Sequence, residues 1–214
     1  YVEVDEMLGL AEQRGERPLL LLLDLLHDPE EDDVDTVLDD LLARMRERGK
    51  AVKLDLKGGG ALIGRALALV ERHGFDDDHL WLNGYLQFLG EAGVRQLAEA
   101  RPGAILQAPV DFMGVLACSL PDHTKTILDT LRGWGMNRFS INFMSAERPQ
   151  FYDLMLRWGF EVNLYGVVDL ETFLAAMLLH PRSVTADFNF PQWHYYGRGS
   201  GQGGRYYEYD QRAP

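Results

Sequence analysis

The sequence holds a single cysteine, Cys118. A disulfide within the chain is therefore excluded, as is a zinc site built on thiolates. One thiol fits a reducing compartment, and the cytoplasm is the expected location. No uncharged apolar run approaches the ~20 residues that a membrane span needs; the run Pro18 to Leu23 is broken by Asp24. No signal peptide is found in the given span. Positive charge is also scarce, with a formal net charge of -12. Nucleic acid is disfavoured as a partner, because neutralising phosphates takes clustered Lys and Arg, and an anionic membrane surface is disfavoured for the same reason. A metal cation, or an anion held through one, stays open. The glycines at Gly58–Gly60 lack the GxGxxG spacing of a dinucleotide fold, and no Lys-Ser/Thr follows the C-terminal glycines as a phosphate-binding loop would require.

What is present begins with Lys50-Ala51-Val52-Lys53-Leu54-Asp55-Leu56-Lys57-Gly58. Val52, Leu54 and Leu56 fall on one face and Lys53, Asp55 and Lys57 on the other, the period of a strand. In a helix-wrapped barrel the apolar face meets the helices and the charged face points inward. Such interiors are normally filled by branched apolar side chains, so three charges there call for a reason.

Elements alternate along the rest of the chain. Val34, Val37, Leu38, Leu41, Leu42 and Met45 predict a helix stopped by Gly49. A helix from Ala61 to His73 turns Leu62, Ala66, Leu69 and Val70 inward. Further helices are expected near Glu91–Ala100, Asp122–Arg132 (stopping at Gly133), Glu147–Trp158 and Leu170–Leu179. Strands are expected at residues 1–5, 51–57, 80–83, 104–109, 138–143, 161–165 and 183–188. The run at 19–26 makes an eighth, or else an added hairpin strand. Strand and helix in alternation imply parallel βα units. The predicted class is α/β, a (β/α)8 TIM barrel over residues 1–190, with an open doubly wound sheet as the alternative. Residues 191–214, rich in Gly and in Trp193, Tyr195, Tyr196, Tyr206, Tyr207 and Tyr209, form a separate C-terminal segment or an aromatic lid.

Three acids stand on the inward faces of strands: Glu3, Asp5 and Asp55. Two carboxylates ~4 Å apart repel by ~1 kcal/mol in water and ~4 kcal/mol at an effective dielectric of 20. Such a cluster holds a cation, shares protons, or is neutralised by Lys53 and Lys57. Oxygen ligands without cysteine favour Mg²⁺ or Ca²⁺. His27 has a side chain suited to acid–base work near neutrality, and Lys57 one that can reach a phosphate oxygen. The plainer reading pairs Asp55 with Lys57 or Lys53 and makes Asp28-Pro29 a helix N-cap and first helical residue. His73, His79, His123, His180 and His194 show no pairing in the sequence, and Cys118 reads as a small core residue.

Taken together, Glu3-Val4-Asp5, His27-Asp28-Pro29 and Leu54-Asp55-Leu56-Lys57, in this order on successive strands, resemble the glycerophosphodiester phosphodiesterase group of the phospholipase-C-like barrels. Those enzymes carry an ExD pair, an HD histidine and a later acid followed by lysine. Lys53-Leu54-Asp55-Leu56-Lys57, Trp81-Leu82-Asn83-Gly84 and Val184-Thr185-Ala186-Asp187 look still more like the menorin branch. The resemblance covers roughly residues 1 to 190. It implies that Glu3, Asp5 and Asp55 bind the metal, that His27 protonates the leaving oxygen, and that Lys57 steadies the phosphate. Trp81 and Asn83 would line the mouth, with Asp187 on the last strand.

Three departures from the pattern stand out. The family's first histidine, on a strand before ExD, has no counterpart after Tyr1, which implies an N-terminally truncated barrel of low activity. The interval from Asp5 to His27 is long, and the strand acid is Asp rather than Glu. The expected function is metal-dependent hydrolysis of a small phosphodiester or lipid headgroup. The alternatives are a non-catalytic menorin-like barrel that binds a protein partner, and a Mg²⁺-dependent barrel acting on a carbonyl substrate with Lys57 or Lys53 as base.

Overall fold

A computed structural model of the protein describes residues 21–25 and 32–186. In chain order these form β1 (Leu21–Leu25), α1 (Asp32–Glu47), β2 (Val52–Leu56), α2 (Ala61–Arg72), β3 (Leu80–Gly84) and α3 (Leu86–Ala100). They continue with β4 (Ile105–Pro109), α4 (Gly114–Ser119), α5 (Pro121–Trp134), β5 (Arg138–Asn142) and α6 (Arg148–Arg157). β6 (Val162–Val167), α7 (Leu170–Met177) and β7 (Ser183–Ala186) complete the series. The expected strand at residues 1–5, the end of the last strand and the segment 191–214 lie outside the described residues. The chain is an α/β fold of parallel strands joined by helices, and its described part divides into two compact units.

The larger unit spans Pro18–Ile141 and Ser145–Val162. Its strands lie side by side in sequence order and each runs parallel to the next. Five residue pairs from Leu21↔Val52 to Leu25↔Leu56 join β1 to β2, so Leu21–Leu25, within the run singled out in the sequence, is a strand of this sheet and not an added hairpin. A doubly wound sheet reverses its strand order at a switch point; this unit has no reversal, so the sequential order of barrels fits and the alternative does not.

Side chains from helices and strands make the core. Val52, Leu54 and Leu56 are fully buried, as are Ile63 and Val70 of α2 and Leu42 of α1. Ile63 takes the inward position expected of Leu62, which is half-buried. The helical stretch expected from Glu91 is there, preceded by a turn from Leu86 from which Gly90, non-helical at φ 58°, separates it. One boundary differs from expectation. α5 passes through Gly133 and ends at Gly135, whose φ of 118° is open to glycine alone among ordinary residues; a Cβ there would overlap that of Ala98.

In the smaller unit, which includes Asn142–Met144 and the described residues from Asn163 onward, β6 and β7 are parallel. Their register shifts between Leu164 and Val167, where Gly166 has φ 70°. The N-terminus of α7 is closed by a capping box: the Asp169 carboxylate accepts from the Thr172 amide at 2.8 Å, and the Thr172 hydroxyl accepts from the Asp169 amide at 3.2 Å.

Candidate functional site

The site grows out of β2. Lys53 and Asp55 alternate with three aliphatic residues, and all five are buried, Lys53 to 3% exposure and Asp55 to 6%. A charge taken out of water must be paired or hydrogen-bonded. Asp55 is both: Oδ2 accepts from Lys57 Nζ at 2.6 Å and Oδ1 accepts from Asn83 Nδ2 at 2.7 Å. Asn83 Oδ1 in turn accepts from Gln107 Nε2 at 2.9 Å.

Backbone register explains why these three side chains meet. Asp55 is paired with Asn83, and Asn83 with Gln107, on β2, β3 and β4. The same register row continues to Asp24 on β1 and Arg138 on β5. One polar residue thus stands at the same level on every strand of the unit.

A second layer lies two residues earlier. Lys53 Nζ is 4.2 Å from the centroid of the Trp81 ring, and the Arg138 guanidinium is 5.1 Å from it. Such contacts contribute about 0.5–2 kcal/mol each, more as water is excluded. Arg138 also donates through Nη2 to Glu161 Oε2 at 2.8 Å. On the other side of the row, past the end of β2, Lys57 Nζ lies 5.2 Å from the centroid of the Tyr85 ring. Its side chain is 23% exposed. Gly58–Gly60 turn the chain from there into α2. Gly60 has φ 59°, and a Cβ on Gly59 would run into the Phe88 carbonyl oxygen. The turn is held close against the start of α3.

Of the residues expected to carry function, the structure brings Asp55, Lys57 and Asn83 together. Trp81 is on the same strand face, buried beneath Asn83 and under two cations. Glu3, Asp5, His27 and Asp187 lie outside the described residues. Asp55 pairs with Lys57, the plainer of the two readings, and keeps its contact to Asn83 as well. Gln107 and Arg138 were not singled out in the sequence; Gln107 was signalled as the lone polar residue of β4, and Arg138 by its alternation with Ser140 and Asn142 along β5. His73 and His79, unpaired in the sequence reading, have carboxylate partners: His73 Nε2 is 2.8 Å from Asp39 Oδ1 and His79 Nδ1 is 2.6 Å from Asp76 Oδ1. Both pairs lie away from the polar row.

Whether the site suits a divalent cation turns on its donors. Each Asp55 oxygen makes one hydrogen bond, and an ionised carboxylate offers about four lone-pair sites, so about two remain, enough for a metal bond. Gln107 Oε1 is a buried oxygen with no hydrogen-bond partner. Among the described residues no group of three or more His, Cys, Asp or Glu side chains forms a cage. This part of the chain therefore offers a hard cation the Asp55 carboxylate and does not by itself enclose one. Among the described residues, too, no helix is long and apolar enough to cross a membrane.

No family model and no curated protein matches the sequence. Solved structures do match the fold. An Agrobacterium tumefaciens protein described as a glycerophosphoryl diester phosphodiesterase is 14% identical, with a TM-score of 0.55 over 72% of this chain and 60% of its own. An Oleispira antarctica phosphodiesterase, solved with its product sn-glycerol-3-phosphate, is 15% identical, with a TM-score of 0.52 over 71% of this chain and 57% of its own. A Parabacteroides distasonis glycerophosphodiester phosphodiesterase is 11% identical, with a TM-score of 0.51 over 75% and 64%. The likeness at these identities is one of fold, and the chain spans less than two thirds of each of these structures.

Proposed function

We propose that the chain is a phosphodiester hydrolase of the glycerophosphodiester phosphodiesterase type, built on a (β/α)8 barrel over residues 1–190. The observation that carries this reading is the buried Asp55, held between Lys57 and Asn83 at the end of a parallel strand, in a fold shared with several such enzymes. Asp55, with Glu3 and Asp5, would hold Mg²⁺ or Ca²⁺. A cation so placed supplies polarisation of the phosphoryl oxygens.

The remaining chemistry belongs to side chains. Lys57 is partly exposed and anchored at 2.6 Å to Asp55, so its ammonium can lean to a phosphate oxygen without leaving its partner's field. As a water oxygen bonds to phosphorus and gives up its proton to solvent, the bond to the alcohol oxygen breaks and His27 gives that oxygen a proton, so that an alcohol and a phosphate monoester result. Asn83 holds the Asp55 carboxylate in place and Asp187 lines the site; Trp81, expected at the mouth, is instead buried one layer below Asn83 under Lys53 and Arg138. The substrate is a small phosphodiester or a lipid headgroup.

Binding of a glycerophosphodiester in the presence of Mg²⁺, followed by calorimetry, tests this reading. Saturable binding that Lys57→Met weakens about ten-fold, the loss of one charge-assisted hydrogen bond, is expected. Absence of binding to every phosphodiester offered would overturn it. A second reading, a menorin-like barrel that binds a protein partner without catalysis, is favoured by one feature: Lys57 already neutralises Asp55. That barrel would bind neither cation nor phosphodiester.

A further inference from the structure

We infer that Gln107 is a positioning residue, which fixes the Asp55 carboxylate by dictating which end of the Asn83 amide faces it. The inference follows from the direction of the hydrogen bonds. An ionised carboxylate only accepts, so Asn83 must turn its NH2 toward Asp55 and its carbonyl oxygen away. That oxygen then faces β4 and needs a donor. Gln107, 1% exposed, supplies one through Nε2 at 2.9 Å. Were Gln107 reversed, its Oε1 would meet Asn83 Oδ1, acceptor against acceptor. Were Asn83 reversed as well, its Oδ1 would meet the carboxylate. Only one orientation of each amide satisfies the row, which reads Gln107 to Asn83 to Asp55, with Lys57 closing it from the other side.

Water offers no easy substitute, because Asn83 and Gln107 are both at least nine-tenths buried. Removing the Gln107 donor leaves the Asn83 carbonyl unpaired in the interior and frees the amide to rotate. Asp55 then loses a fixed partner and keeps only the flexible Lys57. Gln107 touches neither Asp55 nor a phosphodiester bound beyond Lys57; its effect passes through Asn83.

The test uses Gln107→Met, which keeps the length of the side chain and removes the donor, and it has two readouts. The first is the side-chain amide signal of Asn83 in a ¹⁵N-resolved spectrum of the folded chain. It is expected to shift in Gln107→Met, while core methyl signals stay in place. The second is Mg²⁺ affinity by calorimetry, which rests on the phosphodiesterase reading. It is expected to fall about ten-fold, the usual cost of losing a group that orients a ligand. In an Asn83→Ala background the same Gln107→Met change is expected to cost nothing further, because the route to Asp55 is already cut.

An unmoved Asn83 signal in folded Gln107→Met overturns the inference. So does an equal loss of Mg²⁺ affinity with and without Asn83, which would make the role of Gln107 general packing. If the unsubstituted chain binds no Mg²⁺, the metal reading falls and the Asn83 signal decides alone. Should Gln107→Met fail to fold, Gln107→Leu likewise removes the donor from a buried position without adding a charge. The same shift of the Asn83 signal is expected there, and its absence counts against the inference.

Discussion

Replacing Asp55 by Asn keeps its shape and removes its charge, so the stability cost isolates what the charge does. Two short bonds are at stake, 2.6 Å to Lys57 and 2.7 Å to Asn83. A hydrogen bond to a charged group nets about 1.5–3 kcal/mol. The Lys57 side chain is 23% exposed, so water recovers part of its bond; about 1 kcal/mol is the discounted loss. Toward Asn83 the new amide can still offer a carbonyl oxygen, which converts a charged bond to a neutral one at a loss of about 1 kcal/mol. The sum, about 2 kcal/mol, corresponds to a fall in Tm of about 4–8 °C for a chain of this size. Urea denaturation without added divalent cation measures it, with the slope m unchanged if the denatured state is unaffected. A change below about 0.5 kcal/mol, or a gain in stability, would refute the reasoning. A gain would mean that Asp55 is held against repulsion and not satisfied by its neighbours.

The turn after β2 and the surface give further checks. Gly59→Ala is expected to cost about 1–3 kcal/mol, since the new methyl meets backbone at Phe88 and neither segment can yield cheaply; chemical denaturation reads it. Asp39 is held below the ordinary carboxylate value of 3.8, chiefly by its hydrogen bond to His73, with Arg72 adding its charge. A lowered carboxyl stabilises the fold above its unfolded pKa and loses that contribution as pH falls through the folded one. Stability should therefore decline below about pH 4, and Asp39→Asn should flatten that acid limb in a series of thermal melts. An unchanged limb would remove Asp39 from the account.

The sequence was most legible where one physical pattern ruled. The alternation in Val52–Leu56 located β2 and separated its charged face from its apolar one, because burial on both faces leaves no other arrangement for Lys53 and Asp55. The sequential parallel order of the larger unit followed from short strand–helix spacing. Other features left weaker traces. α4 has six residues, under two turns, and shows no period to detect. Gly133 reads as a stop, yet the helix ends two residues later, because the left-handed turn is needed where α5 passes Ala98. The partnership of Gln107 with Asn83 spans 24 residues and depends on strand register, which a single strand's pattern does not reveal. The resemblance to phosphodiesterases pointed to Asp55 and Lys57 because their spacing is local. His27 and the Glu3–Asp5 pair, drawn from side-chain chemistry and strand alternation and joined by that resemblance, lie outside the described residues.

Calorimetric titration of Mg²⁺ and Ca²⁺ into the chain, and into Asp55→Asn, tests the central claim most directly. The account predicts saturable binding of at least one of the two cations, lost or weakened by about 10-fold or more when Asp55 loses its charge. Binding of the same strength in both proteins, or none in either, would contradict it. Asp55 would then be a structural partner of Lys57 and Asn83 and no part of a metal-assisted site.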